Sequence, residues 1–217
     1  MKPTVAVLDY GSGNLRSVER ALARVGADVT VTADLDFAAR ADGLVVPGVG
    51  AYAACMAGID AIDGRRPILE RVAAGAPVLG ICVGMQVLFT AGNEHGVVTK
   101  GLGLFDGEVS RLAVPSGRPA AERPRVPHMG WNTLRVPAGS RLFAGVAADA
   151  RCYFVHSYAA HPSPALAAQD TLVTTAEHGE EFVAAVERGP LWATQFHPEK
   201  SADVGATLLA NWIGILR

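Results

Sequence analysis

Short apolar runs punctuate the first half of the chain at TVAVLD (4–9), VTVT (29–32), GLVVPG (43–48) and PVLGIC (77–82), with helix-like spacing between them. Runs that stay apolar at successive positions belong to strands covered on both faces. Strands that alternate with helices pair in parallel. After the first run, Leu15, Val18, Leu22 and Val25 recur at intervals of three and four, and Gly26 follows where a helix commonly stops. A second helical stretch lies around 66–74. The fold class this predicts is α/β, with a central, mostly parallel sheet flanked by helices. Sheets of this kind bind ligands beyond the carboxyl ends of their strands. The loops after Asp9, Val46 and Ile81 are therefore where a site is expected.

From about residue 103 the pattern changes to short strands and turns. Prolines in VPSGRPAAERPRVPHMGWN (114–132) exclude regular structure from most of that segment. Strands are expected at CYFVHSY, TLVTT, FVAAVE and LWATQF, as an antiparallel extension of the sheet. A final helix carries Val204, Leu208, Trp212 and Ile215 on one face, with Ser201 as its N-cap. With 217 residues, 50% of them hydrophobic, the expectation is a single domain over 1–217. The net charge of −2 comes without runs of one sign, which argues against nucleic acid or a membrane surface as partner. No stretch approaches the ~20 apolar residues of a membrane span. Three scattered cysteines suit a reducing compartment, and the protein is expected to be soluble and cytoplasmic. No metal-ligand spacing is present, and no metal or cofactor is expected.

Within VLGICVGMQVLF (78–89), Cys82 stands between Gly80 and Gly84 where an apolar run turns into a helix-like stretch. Glycines two residues to either side permit a strained strand-to-helix turn that lifts the central side chain out of the packed layer. The start of the helix would favour the thiolate, and the Val83 N–H would face a developing oxyanion. A second reading is open here: an inert buried thiol beside glycines that allow close packing.

A nucleophilic cysteine needs a base, and the base an orienting group. In TQFHPEKS (194–201), His197 and Glu199 are two apart and fall on one side of an extended segment. A surface histidine at a turn is the alternative. The strand end Pro47-Gly48-Val49-Gly50 can turn a peptide N–H toward a neighbour. DYGSGN (9–14) lacks both GxGxxG and GK[ST], which excludes a dinucleotide or P-loop site.

GICVGMQ, QFHPE and the strand leading to PGVG resemble the class I (triad) glutamine amidotransferases over essentially the whole chain. DYGSGN, PGVG, PHMGWN (127–132) and YFVHSY (153–158) are most similar to the glutaminase subunits of imidazole glycerol phosphate synthase. Val83 departs from the more familiar leucine, but only its backbone N–H is needed. The Pro/Arg-rich segment 114–126 is unusual for the family.

The resemblance implies a catalytic triad of Cys82, His197 and Glu199 and an oxyanion hole from Val83, Val49 and Gly50. It implies glutamine contacts at Gly48, Gly50, Gln86, Ser157 and Tyr158. It also implies ammonia transfer to a (β/α)8-barrel cyclase subunit in histidine biosynthesis, with Asn14, Trp131 and Tyr153 near the interface. The glycines of 47–50 suggest that the second oxyanion donor points away until the partner docks. Three alternatives are a glutaminase serving another synthase, for anthranilate or pyridoxal phosphate, a cysteine hydrolase or peptidase on a related fold, and a non-enzymatic binding or regulatory module that keeps the fold. His95, His161 and His178 read as solvated, His128 and His156 as hydrogen-bonded near the interface. Cys55 and Cys152 read as small buried hydrophobes.

Overall fold

The computed structural model describes residues 1–114, 117 and 123–216. The first half runs β1 (Thr4–Leu8), α1 (Leu15–Arg24), β2 (Asp28–Thr32), α2 (Leu35–Arg40), β3 (Gly43–Gly48), α3 (Tyr52–Ala61), α4 (Arg65–Ala73), β4 (Val78–Cys82) and α5 (Val83–Gln86). It continues with β5 (Phe89–Glu94), β6 (Val97–Lys100), β7 (Phe105–Arg111), β8 (His128–Thr133), β9 (Arg151–His156), β10 (Tyr158–Ala160) and α6 (Pro164–Ala167). Strands β11 (Leu172–Glu177), β12 (Glu181–Arg188) and β13 (Leu191–Thr194), a 3-10 turn at Pro198–Lys200 and α7 (Ala202–Gly214) complete the chain.

Seven strands form the main sheet in the order β11-β12-β13-β4-β3-β1-β2. The five from β13 to β2 pair in parallel, and β12 and β11 add antiparallel to the β13 edge. The two central strands β3 and β4 are buried at every position, as expected for strands with helices on both faces. Helix α1 ends as its sequence suggests, with Gly26 at φ +102° just past the last turn. Buried Arg71 of α4 ties α2 to the sheet by donating to the carbonyls of Ala41, Asp42 and Pro77 at 2.7, 3.1 and 3.1 Å.

Four expectations change, the first being that LWATQF, expected in the antiparallel extension, supplies β13, which pairs parallel with β4. CYFVHSY is not part of the main sheet: it divides into β9, which pairs only with β8, and β10, which joins the sheet β10-β7-β5-β6. Cys152, Phe154 and His156 are buried while their neighbours are less so, the pattern of a ribbon lying on the core with one face. The last part of the proline-rich segment is thus a strand, and most of residues 115–122 lie outside the described residues. Ser201 does precede α7 but makes no cap bond. Its hydroxyl donates to the His197 carbonyl (2.7 Å) and accepts from the Tyr153 N–H (3.0 Å), so it fixes the turn that carries His197.

Strand β4 and α5 meet with no room for side chains at the bend. A Cβ on Gly84 would lie 1.9 Å from the Val46 carbonyl oxygen, and one on Gly80 would lie 2.8 Å from that of Gly84. Gly84→Ala is therefore expected to lower unfolding stability by about 3 kcal/mol, the upper part of the range for overpacking a core. Urea denaturation checks this, with Gly214→Ala, where an added Cβ meets nothing within 4 Å, as the near-neutral comparison.

Candidate active site

Register places the candidate groups. Gly48 pairs with Cys82, and Thr194 with Ile81, so the carboxyl ends of β3, β4 and β13 stand side by side. The turn after β4 gives Cys82 φ +56° and ψ −115°, a backbone that side-chain-bearing residues rarely adopt. Helix α5 is a single turn, so its dipole gives the sulfur little. Support comes from neighbouring side chains. His197 and Cys82 line the same cavity and interact so as to favour a charge on the ring, and the Gln195 amide nitrogen lies 3.7 Å from Sγ.

On its other side His197 Nδ1 is 2.7 Å from Glu199 Oε1, in a pair almost wholly removed from solvent. That oxygen also accepts from the Asn14 amide at 2.6 Å. Asn14 thus touches the Glu199 carboxylate and makes no side-chain cap bond to α1. Burial opposes a charge on the His197 ring, but its hydrogen bonds and charge interactions with Cys82 and Glu199 outweigh this and raise its pKa to about 9. The arrangement can hold an imidazolium beside the Cys82 sulfur.

A cavity of about 240 Å³ opens on these groups. Val49, Gly50, Cys82, Val83, Gln86, Ser157, Tyr158 and His197 line it, as the sequence suggests, together with Glu94, Val155, His156 and Lys200. Gly48 instead packs under the bend, where its Cβ would lie 2.3 Å from the Gly84 nitrogen. Buried Gln86 commits both amide hydrogens, to the Tyr158 carbonyl and to Gln195 Oε1, each at 2.9 Å. What remains is its carbonyl oxygen, an acceptor. Trp131 is exposed and meets half-buried Tyr153 edge-on.

The loop after β3 borders the cavity, but its Val49 peptide is turned away. The Val49 N–H donates to Ser12 Oγ at 3.0 Å, its carbonyl accepts from the Cys55 thiol at 3.4 Å, and the Pro47 carbonyl accepts from the Tyr10 hydroxyl. Of the two expected oxyanion donors, the one from Val49 is turned away.

Glu94, Gln195 and Lys200 were not singled out in the sequence. Gln195 carried a signal, because positions 195, 197 and 199 share one side of an extended segment. Glu94, at the end of β5 and holding the Tyr52 N–H at 2.9 Å, carried none. His178 is not free in solvent: it stacks on His128 with centroids 4.1 Å apart.

A thiol, an imidazole and a carboxylate converging at the strand ends of an α/β sheet define a class of enzymes that work through a covalent cysteine. The family model for glutamine amidotransferase class-I matches residues 6–214. Imidazole glycerol phosphate synthase subunit HisH of Thermobifida fusca is 57% identical over 222 residues, covering 100% of both chains. The protein of the same name from Mycobacterium tuberculosis is 60% identical over 213 residues, covering 97% of each. Among solved structures, PurLQS from Thermotoga maritima superposes with a TM-score of 0.71 at 18% identity, covering 100% of both chains. The chain belongs to the class-I glutamine amidotransferases and, within them, to the family of imidazole glycerol phosphate synthase subunit HisH.

The raised His197 pKa has a pH signature. A folded-state pKa above the unfolded value contributes stability that is complete below about pH 6.5 and is lost as pH rises through about 9. Ring-proton NMR is expected to show His197 titrating near 9, and to show that value falling in Cys82→Ala, which removes the foremost of the groups that raise it.

Proposed function

We propose that this chain is the glutaminase subunit of a synthase, delivering ammonia to a (β/α)8-barrel cyclase that forms imidazole glycerol phosphate in histidine biosynthesis, in the cytoplasm. The 217 residues act as one amidotransferase domain. The observation that carries the reading is the buried His197–Glu199 pair facing one cavity with a cysteine held at positive φ.

In the proposed reaction the Cys82 sulfur attacks the glutamine side-chain amide carbon. The oxyanion is held by the Val83 N–H and, once the loop turns, by a peptide N–H of Val49 or Gly50. His197, oriented by Glu199, gives its proton to the leaving nitrogen, and ammonia departs. His197 then takes a proton from water as that water attacks the thioester, and glutamate leaves with the sulfur restored. Glu94 and the Gln86 carbonyl oxygen suit the substrate α-ammonium, with backbone groups of Gly50, Ser157 and Tyr158 around the rest. A cavity of about 240 Å³ is below the roughly 300–1,000 Å³ typical of drug-sized ligands, which favours a free amino acid over a peptide. Exposed Met129 and Trp131 on β8 offer an apolar surface to the partner near Tyr153, and Asn14, bound to Glu199, is assigned to the same interface.

Cys82→Ala is expected to lower glutaminase kcat by about 10⁴-fold or more, measured as glutamate release with the cyclase subunit and its nucleotide ligand present. Retained turnover would overturn the reading. Ser12→Ala frees the Val49 N–H, so it is expected to raise the partner-free rate about tenfold, part of the 10²–10³ that one oxyanion donor supplies, and to leave the stimulated rate little changed.

A further inference from the structure

A second buried hydrogen-bonded chain reaches the cavity from His128 and His156, which the proposed reaction does not use. His156 Nδ1 lies 3.0 Å from the Tyr158 carbonyl, which can only accept. That nitrogen therefore carries the ring proton, and Nε2 is left as an acceptor. His128 Nδ1 lies 3.0 Å from His156 Nε2 and must be the donor. His128 Nε2 is then an acceptor and faces the Asn132 amide nitrogen at 3.4 Å.

Both rings stay neutral. Burial above all, with repulsion from neighbouring imidazoles, pushes His128 down to about 3 and His156 to about 4. A neutral imidazole has one N–H, so the chain runs in one direction, from Asn132 to Tyr158. His128 is also fixed in place, stacked on His178 at 4.1 Å and on Phe154 at 4.8 Å. At the far end, the Tyr158 carbonyl accepts from Gln86, which continues through Gln195 toward Cys82. His156 lines the cavity; His128 and Asn132 do not.

We infer that His128 is a positioning residue for glutamine: by donating to His156 it fixes the tautomer that holds the Tyr158 carbonyl, and with it Gln86, in the geometry the substrate meets. This rests on the reading of Cys82 as a glutaminase nucleophile. Removing the donor strands a buried acceptor on His156. The ring relieves this by turning or by moving its proton, and either change releases the Tyr158 carbonyl.

The test compares wild type, His128→Leu and His128→Asn in the assembled synthase, since the asparagine Nδ2 stands close to where the histidine Nδ1 was. His128→Leu is expected to raise KM for glutamine about tenfold, the scale of one stranded buried acceptor, with kcat within about twofold, and His128→Asn to restore most of the loss. Ring ¹⁵N NMR of the histidine-labelled chain in the same assembly is expected to show Nδ1–H tautomers for His128 and His156, but Nε2–H for His178, whose Nε2 faces the Arg125 carbonyl at 2.8 Å. An Nε2–H tautomer on His128 or His156, an unchanged KM in His128→Leu, or equal damage in both variants would overturn the inference. Wild type that hydrolyses no glutamine would instead defeat the proposed function, and the tautomers would still decide this point.

Discussion

Parallel pairing of β4 between β3 and β13 is the constraint on which the rest depends. It sets Gly48 beside Cys82 and Thr194 beside Ile81, and so brings together loops that are far apart in the chain. The three strands are buried at every position, with side chains filling the space on both faces. A slip of one residue would reverse every side chain against the wrong helix layer, which fixes the register firmly. The bend after β4 then follows from packing. Gly84 lies so close to Val46 that the chain has one way to leave the strand, and that way exposes the sulfur of Cys82 to the cavity.

One loop links the parts that the strands bring near each other. Between β1 and α1, Tyr10 holds the Pro47 carbonyl, Ser12 holds the Val49 N–H, and Asn14 holds Glu199. Burial keeps the Tyr10 hydroxyl protonated well beyond its ordinary range, so it remains a donor. The loop therefore touches both the proposed oxyanion strand and the carboxylate that orients His197. Any displacement of it is felt at both.

The sequence made the bend legible because its glycines are local, and the His197–Glu199 pair legible because a two-residue spacing in extended chain has one geometric meaning. Parallel strands were legible from doubly apolar runs. The pairing of β8 with β9 was not, since proline density in the preceding segment masked a strand that begins only at His128. Nor could the sequence show which way the Val49 N–H points. That depends on a serine hydroxyl 37 positions away, and hydrogen bonds between distant loops leave no periodicity to read. Ser201 illustrates the same limit: its residue type fits a helix cap, while its hydroxyl is drawn to the His197 carbonyl by a turn that the local pattern does not encode.

Stiffness is divided unequally across the site. Holding Cys82 at positive φ costs on the order of 1–3 kcal/mol, but Cys82 is paired with Gly48 and the residue before it with Thr194, so the sulfur stays put. The loop at Val49 is held on one side by a serine hydroxyl and a cysteine thiol. Neutral hydrogen bonds contribute about 1 kcal/mol each, and a thiol donor is weaker still. Turning that peptide therefore needs only a few kcal/mol, a small part of what a protein interface of standard size can supply. On the proposed reading, a fixed sulfur beside an adjustable donor is the combination that would let a partner control the rate without rebuilding the site around Cys82.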